Sequence, residues 1–171
     1  SEPTHAASVK ELAKKFDARV IRTDEYGDWN RSRALNLGIQ AATAPYVLNT
    51  DADMVFEPNF VQTILDTHER HDGKALVVCA CDDLPKEVPE KPWAVDEYES
   101  LRSKGKRRRS PGTGACQSAT RAFFNFARGY DERFVHWGSE DTDMRDRALK
   151  YGLELTWISD KTSMCHQWHP S

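Results

Sequence analysis

The amino-acid sequence predicts an α/β domain built on a parallel sheet with helices packed against it. Two observations carry this prediction. Segments with helical periodicity alternate with short apolar runs up to residue 81, the helix–strand rhythm that wraps helices onto parallel strands. The apolar run that begins at Tyr46 then ends in Asp51-Ala52-Asp53, two carboxylates placed where a strand runs out. Ligands of open α/β sheets sit beyond such carboxyl ends.

The elements follow in order. Val9, Leu12, Ala13 and Phe16 fall at helical spacing and predict an amphipathic helix over 6–16. Residues 18–22 read as a short strand, and a polar loop with Gly27 follows. Leu35, Ile39 and Ala42 share one face of a helix over 31–43, with Asn30 as its N-cap and Pro45 beyond its end. Tyr46 to Asn49 is the strand that delivers the aspartates. Pro58 opens a helix to about Arg70, Asp72-Gly73 turns the chain, and Lys74 to Cys81 is a buried strand. Residues 82–113 hold four prolines and the run Lys104-Gly105-Lys106-Arg107-Arg108-Arg109. They read as a long, largely exposed and mobile loop, since loops of this length are usually functional or disordered. A strand over 114–120, a short helix to Arg128 closed by Gly129, a helix over 139–151 capped by Ser139 and a last strand over 153–158 complete the chain.

The totals fit one domain spanning 1–171. A chain of 171 residues can bury about two-thirds of its unfolded surface. A net charge of −3 argues against general nucleic-acid binding. No run of 18 apolar residues is present. The four cysteines, Cys79, Cys81, Cys116 and Cys165, lack zinc spacing and read as reduced thiols, which points to a cytoplasmic protein. The basic run reads first as a solvated segment. Its alternatives are an anionic acceptor, nucleic acid or a peripheral membrane contact through residues 104–109.

Several clusters have chemistry. In an extended chain Asp51 and Asp53 would face one point, and two such oxygens suit Mg²⁺ or Mn²⁺. An acidic turn is the plainer reading of the same residues. Trp137-Gly138-Ser139-Glu140-Asp141-Thr142-Asp143 crowds acids at a helix start, where they meet the positive end of the helix dipole. Asp141–Arg145 and Asp143–Arg147 are spaced to pair. A carboxylate there could also take a proton from an attacking hydroxyl. The bulky Trp137 followed by Gly138 suggests a residue pushed close to something. His166 and His169 are candidate ligands near the end of the chain, with Met164 nearby. Asn30, Arg31, Arg33 and Asn36 at a helix start offer a phosphate site.

In this order the motifs resemble the GT-A fold of nucleotide-sugar glycosyltransferases. The likeness is to family 2, to the catalytic domain of β-1,4-galactosyltransferases and to chondroitin-type polymerases. Trp29-Asn30-Arg31 through Asn36-Leu37-Gly38 resembles the family's donor-side helix start. Asp51-Ala52-Asp53 resembles its Asp-x-Asp metal motif, and Gly129-Tyr130-Asp131-Glu132 the turn before its catalytic helix. Trp137-Gly138-Ser139-Glu140-Asp141 resembles its Trp-Gly-Gly-Glu-Asp element, and His166 its late metal-binding histidine.

The resemblance implies a metal-dependent sugar transferase, inverting, with a UDP-linked donor and a glycan or other hydroxyl acceptor. Asp141 would be the catalytic base, with Glu140, Trp137 and Gly138 holding the acceptor. Arg31, Arg33, Asn36, Asp51 and Ala52 would line the donor, and Asp51, Asp53 and His166 would bind Mn²⁺ or Mg²⁺. His169 is the alternative to His166. The loop over 82–113 would order over bound donor. The family's opening nucleoside-binding β-α-β portion has no counterpart here, so an N-terminally incomplete domain is expected. A non-catalytic carbohydrate-binding or scaffold module of the same fold and a nucleotidyltransferase are the rival readings.

Overall fold

The computed structural model describes residues 3–22, 28–109, 112–135 and 138–170. Among the described residues, eight strands form two four-stranded sheets, and six α-helices accompany them. The first sheet joins β1 (Tyr46–Thr50), β6 (Cys116–Thr120), β3 (Ala75–Val78) and β7 (Glu154–Trp157) in that order. It is mixed, which corrects the parallel sheet expected from the alternation. β6 runs antiparallel to both β1 and β3, while β3 and β7 are parallel. The helix–strand rhythm orients only β1 and β3. The strand that slots between them arrives from beyond the rhythm's end.

Helices cover both faces, as successive side chains along a strand require. Leu76 and Val78 pack with α2 (Arg31–Ala41), α5 (Arg121–Phe126) and α6 (Glu140–Tyr151) through Ile39, Phe123, Phe124, Met144 and Ala148. Ala75 and Val77 face the other way, onto Phe60 and Ile64 of α3 (Phe60–Arg70). At about 25 cal/mol per Å² of buried apolar area, these two clusters supply the main drive to fold.

The second sheet was not legible in advance. It joins β2 (Met54–Phe56), β8 (Met164–His166), β4 (Cys81–Asp83) and β5 (Lys106–Arg107). β8 is central, antiparallel to β2 and parallel to β4. Much of the expected loop over 82–113 is therefore built structure. Besides β4 and β5 it contains a 3-10 turn (Val95–Glu97) and α4 (Tyr98–Arg102), and it buries Leu84, Val88, Tyr98 and Leu101 against Cys165. The basic run within it is partly paired, Arg107 with Asp82 and Arg108 with Asp83. Those pairs draw two of its cations onto the protein.

Three smaller expectations also change. Residues 18–22 form no strand, and Val20 and Ile21 are exposed. An extended segment needs a partner for its backbone groups, and among the described residues β1 pairs only with β6. α1 (Pro3–Lys15) forms as predicted, yet Val9, Leu12 and Phe16 of its apolar stripe stay exposed. Ser139 occupies the N-cap position of α6 at φ 76° without a side-chain cap bond, and its carbonyl accepts from the Asp143 N–H. Asn30, by contrast, caps α2 as expected, its Oδ1 accepting from the Arg33 N–H at 2.9 Å. All four cysteines are buried and unbridged, and burial pushes the Cys79 and Cys81 thiols up to about 11. No helix among the described residues is long and apolar enough to cross a membrane.

Candidate active site

Asp51-Ala52-Asp53 is the corner where the chain leaves the first sheet for the second, after β1 and before β2. The two carboxylates do not share a face, because the extended geometry behind that expectation ends at Thr50. Asp51 turns back toward α2, Asp53 turns toward β8, and Ala52 is exposed at the tip.

Register places Asp53. Met54 pairs with His166, and the Gln167 N–H donates to the Asp53 carbonyl at 2.9 Å. The Asp53 Oδ2 consequently lies 3.3 Å from His166 Nε2 and 3.2 Å from His169 Nε2. One ligating atom from each of the three residues lies within 4.8 Å of the others. Both His166 and His169 thus converge on Asp53. Asp53 Oδ1 is buried without a hydrogen-bond partner, a costly state that a bound cation would relieve. A donor set of one carboxylate and two imidazoles fits a divalent transition ion better than Mg²⁺, which takes oxygen almost exclusively.

His166 has a second partner on its other side. Its Nδ1 lies 3.0 Å from Oδ1 of Asp83, the residue level with it on β4. Arg108 Nε donates to both Asp83 oxygens at 2.9 Å, and its Nη2 donates to Oδ1 at 2.7 Å. Burial opposes the Asp83 charge, but Arg108 and His166 outweigh it, so the carboxyl is held below its usual range.

Arg31 is the hub on the other side of the corner. Its Nε and Nη2 donate to Asp51 Oδ1 at 3.1 and 2.6 Å, its Nη1 to Glu140 Oε1 at 3.0 Å, and its Nη2 also to the Gly114 carbonyl at 2.8 Å. Four of the five guanidinium N–H groups are thereby engaged by the protein. Burial works against the Arg31 charge, yet Asp51 and Glu140 more than offset it and raise its pKa. Arg31 thus ties the starts of α2 and α6 to the aspartate corner. Arg31 and Asp51, both expected on the donor, pair with each other, Glu140, expected on the acceptor, joins the same strut, and Asp51, also expected on the metal, is not among the three converging residues.

Asp141 sits beside this hub. Thr113 Oγ1 donates to Asp141 Oδ2 at 3.2 Å, and Gln117 Nε2 donates to the Asp141 carbonyl at 2.9 Å. A Cβ on Gly114 would lie 3.1 Å from Asp141 Oδ2, so that glycine is what lets the carboxylate in. The expected Asp141–Arg145 pair is absent, because Arg145 bonds to Asp146. Asp143–Arg147 does form, at 2.8 Å.

Asn36, expected on the donor, faces the protein interior. It is buried and grips the turn before α6, accepting from the Tyr130 N–H at 2.7 Å and donating to the Tyr130 carbonyl and Glu132 Oε1 at 2.9 Å. Arg33 lies one turn earlier on α2, half-buried. Gly138 has φ 104° and open space where a Cβ would be, so its glycine serves the backbone turn rather than a close approach. Trp137 falls outside the described residues.

Comparison with known proteins decides the family. Residues 3–129, 127 of the 171, match the model of glycosyl transferase family 2. The chain belongs to this family. Residues 99–169 also match a model described as the N-terminal domain of galactosyltransferase. Chondroitin synthase from Escherichia coli is 24% identical over 183 residues, covering 85% of this family 2 chain and 26% of the relative. Among solved structures, GalNAc-T7 with UDP, GalNAc and Mn²⁺ superposes with a TM-score of 0.72 at 15% identity, over all of this chain and 36% of the other. TarS residues 1–349 from S. aureus, in complex with UDP-GlcNAc, gives 0.70 at 14% identity, over all of this chain and 48% of the other. The Drosophila β-1,4-galactosyltransferase 7 mutant with manganese, UDP-Gal and xylobiose gives 0.54 at 17% identity, over 89% of this chain and 56% of the other. At these identities the structural likeness shows the fold, GT-A. The family 2 chain spans about a quarter of the curated relative and between one-third and three-fifths of these solved chains.

Proposed function

We propose that this family 2 chain transfers a sugar from a UDP-linked donor to a hydroxyl of a glycan acceptor, with inversion at the anomeric carbon and dependence on Mn²⁺. The observation that carries the reading is a single corner with two sides. Asp53, His166 and His169 converge at one side, and Asp141 stands across the Arg31 hub at the other. The solved complexes with UDP, UDP-sugars, manganese and xylobiose support the donor, cation and acceptor classes.

A divalent cation held by Asp53, His166 and His169 would neutralise charge on a departing diphosphate. The protein's own residues account for the remaining chemistry. Asp141 accepts the proton of the acceptor hydroxyl while that oxygen bonds to the anomeric carbon from the face opposite the diphosphate. The bond from the anomeric carbon to the diphosphate oxygen breaks, and its electron pair leaves with the nucleotide. Thr113 and Gln117 hold Asp141 in place, and Arg31 keeps Glu140 and Asp51 fixed around it, so little reorganisation accompanies proton transfer.

The test uses the full protein, a UDP-sugar panel and a glycan acceptor. Asp141→Asn should lower transfer by about 10²–10⁴-fold while Mn²⁺-dependent UDP binding stays near wild type. EDTA should abolish transfer and added Mn²⁺ restore it. Transfer at the wild-type rate in Asp141→Asn would overturn the base assignment. Absence of any UDP binding with Mn²⁺ present would favour the non-catalytic carbohydrate-binding module.

A further inference from the structure

We propose that Asp83, braced by Arg108, is a positioning residue that orients His166 and presents its Nε2 to the cation. The inference rests on reading Asp53, His166 and His169 as a cation site.

Strand register sets the surroundings of His166. β8 lies between β2 and β4, so His166 has Met54 level with it on one side and Asp83 on the other. Its ring spans the gap, with Nε2 toward Asp53 at 3.3 Å and Nδ1 toward Asp83 at 3.0 Å. An ionised carboxylate only accepts hydrogen bonds. Asp83 therefore accepts from Nδ1, and a cation beside Asp53 replaces the hydrogen that Nε2 would otherwise give that second carboxylate, so the Nε2 lone pair is left for the ion. A carboxylate behind a ligating imidazole fixes tautomer and ring orientation and makes the ring a stronger donor.

Arg108 explains why Asp83 stays in that role. A half-exposed carboxylate this close to a cation site could swing round and bind the ion itself. Arg108 engages both of its oxygens through three hydrogen bonds, and the Asp83 side chain is not one of the three converging residues. Arg108 is itself placed by the β4–β5 pairing and by its N–H, which reaches the Cys81 carbonyl. One residue back along β4, Asp82 makes the matching pair with Arg107. Adjacent strand residues point to opposite faces, so Asp82 has the same charge and a similar partner but no imidazole. The basic run that reads in the sequence as a solvated or membrane-facing segment supplies the brace.

The experiment measures Mn²⁺ affinity of the full protein by electron paramagnetic resonance of free Mn²⁺. Asp83→Asn should weaken binding by about 10–100-fold, the usual cost of losing such a partner. Asp82→Asn removes the same charge one residue away and should leave affinity near wild type. Equal affinity in wild type and Asp83→Asn would overturn the proposal, as would equal losses in the two variants. Absence of Mn²⁺ binding by wild type would overturn the cation site itself, and the proposal with it. Nitrogen-15 spectra of the wild-type protein loaded with diamagnetic Zn²⁺ provide a test that does not depend on variants folding. The His166 ring should then carry its hydrogen on Nδ1 and bind the ion through Nε2; a hydrogen on Nε2 would overturn the assignment.

Discussion

His68 illustrates how far a single residue's setting departs from its type. The ring is fully buried on α3, stacked on Tyr46 with centroids 4.3 Å apart, and its Nε2 lies 2.9 Å from Ser118 Oγ. Its Nδ1 has no partner. Burial, helped by nearby His71, pushes its pKa down from 6.5 to about 4. The unfolded chain therefore binds the proton that the folded chain refuses. The stability contributed is fully present above pH 6.5 and is lost as pH falls toward 4. The loss from this residue should be about 3 kcal/mol, measured by urea unfolding at pH 7 and pH 4, and His68→Gln should flatten that slope. At this same scale the candidate residue types were legible in the sequence, and their partners were not. Asp51 and Asp53 read as equivalent, yet Arg31 takes one and two histidines take the other. Nothing local to Asp-x-Asp distinguishes them, because the partners lie 20, 113 and 116 residues away along the chain.

At the scale of elements, the turn between α5 and α6 shows what positions the site. Gly129 has φ 71°, and a Cβ there would meet Asn36 Oδ1 at 2.2 Å. That close approach is what allows Asn36 to hold the Tyr130 backbone, and Tyr130 in turn bonds to Gln117 beneath Asp141. Gly129→Ala should lower stability by about 2–4 kcal/mol, combining left-handed backbone strain with overpacking, as read by chemical denaturation. A loss below about 0.5 kcal/mol would show that the turn relaxes freely. The long helices were readable, α2 and α3 from apolar residues at helical spacing and α6 from its acidic start and the Gly152 that ends it. β2 and β8 have three residues each, too few for a period to register. Their pairing is long-range, and with it went the geometry that joins Asp53 to His166.

For the whole molecule, the two sheets divide the labour. The first, covered by helices on both faces, carries most of the core and orients α2 and α6 toward the corner at 51–53. The second is small and irregular, and it brings together the proposed cation ligands, residues 53, 166 and 169, and their proposed brace, residues 83 and 108. The alternation up to residue 81 announced the first sheet but not the antiparallel β6 inserted within it, since strand order is set by long-range contacts. The prolines and basic residues of 82–113 disguised a segment that buries Tyr98 and Leu101. The proposed chemistry needs a divalent ion at this corner. The direct measurement is an anomalous difference map from crystals of the full protein grown with Mn²⁺ and UDP. One manganese peak is expected within bonding distance of Asp53, His166 Nε2 and His169 Nε2. A map with no peak there, or with manganese bound at Asp51 in place of Asp53, would contradict that expectation.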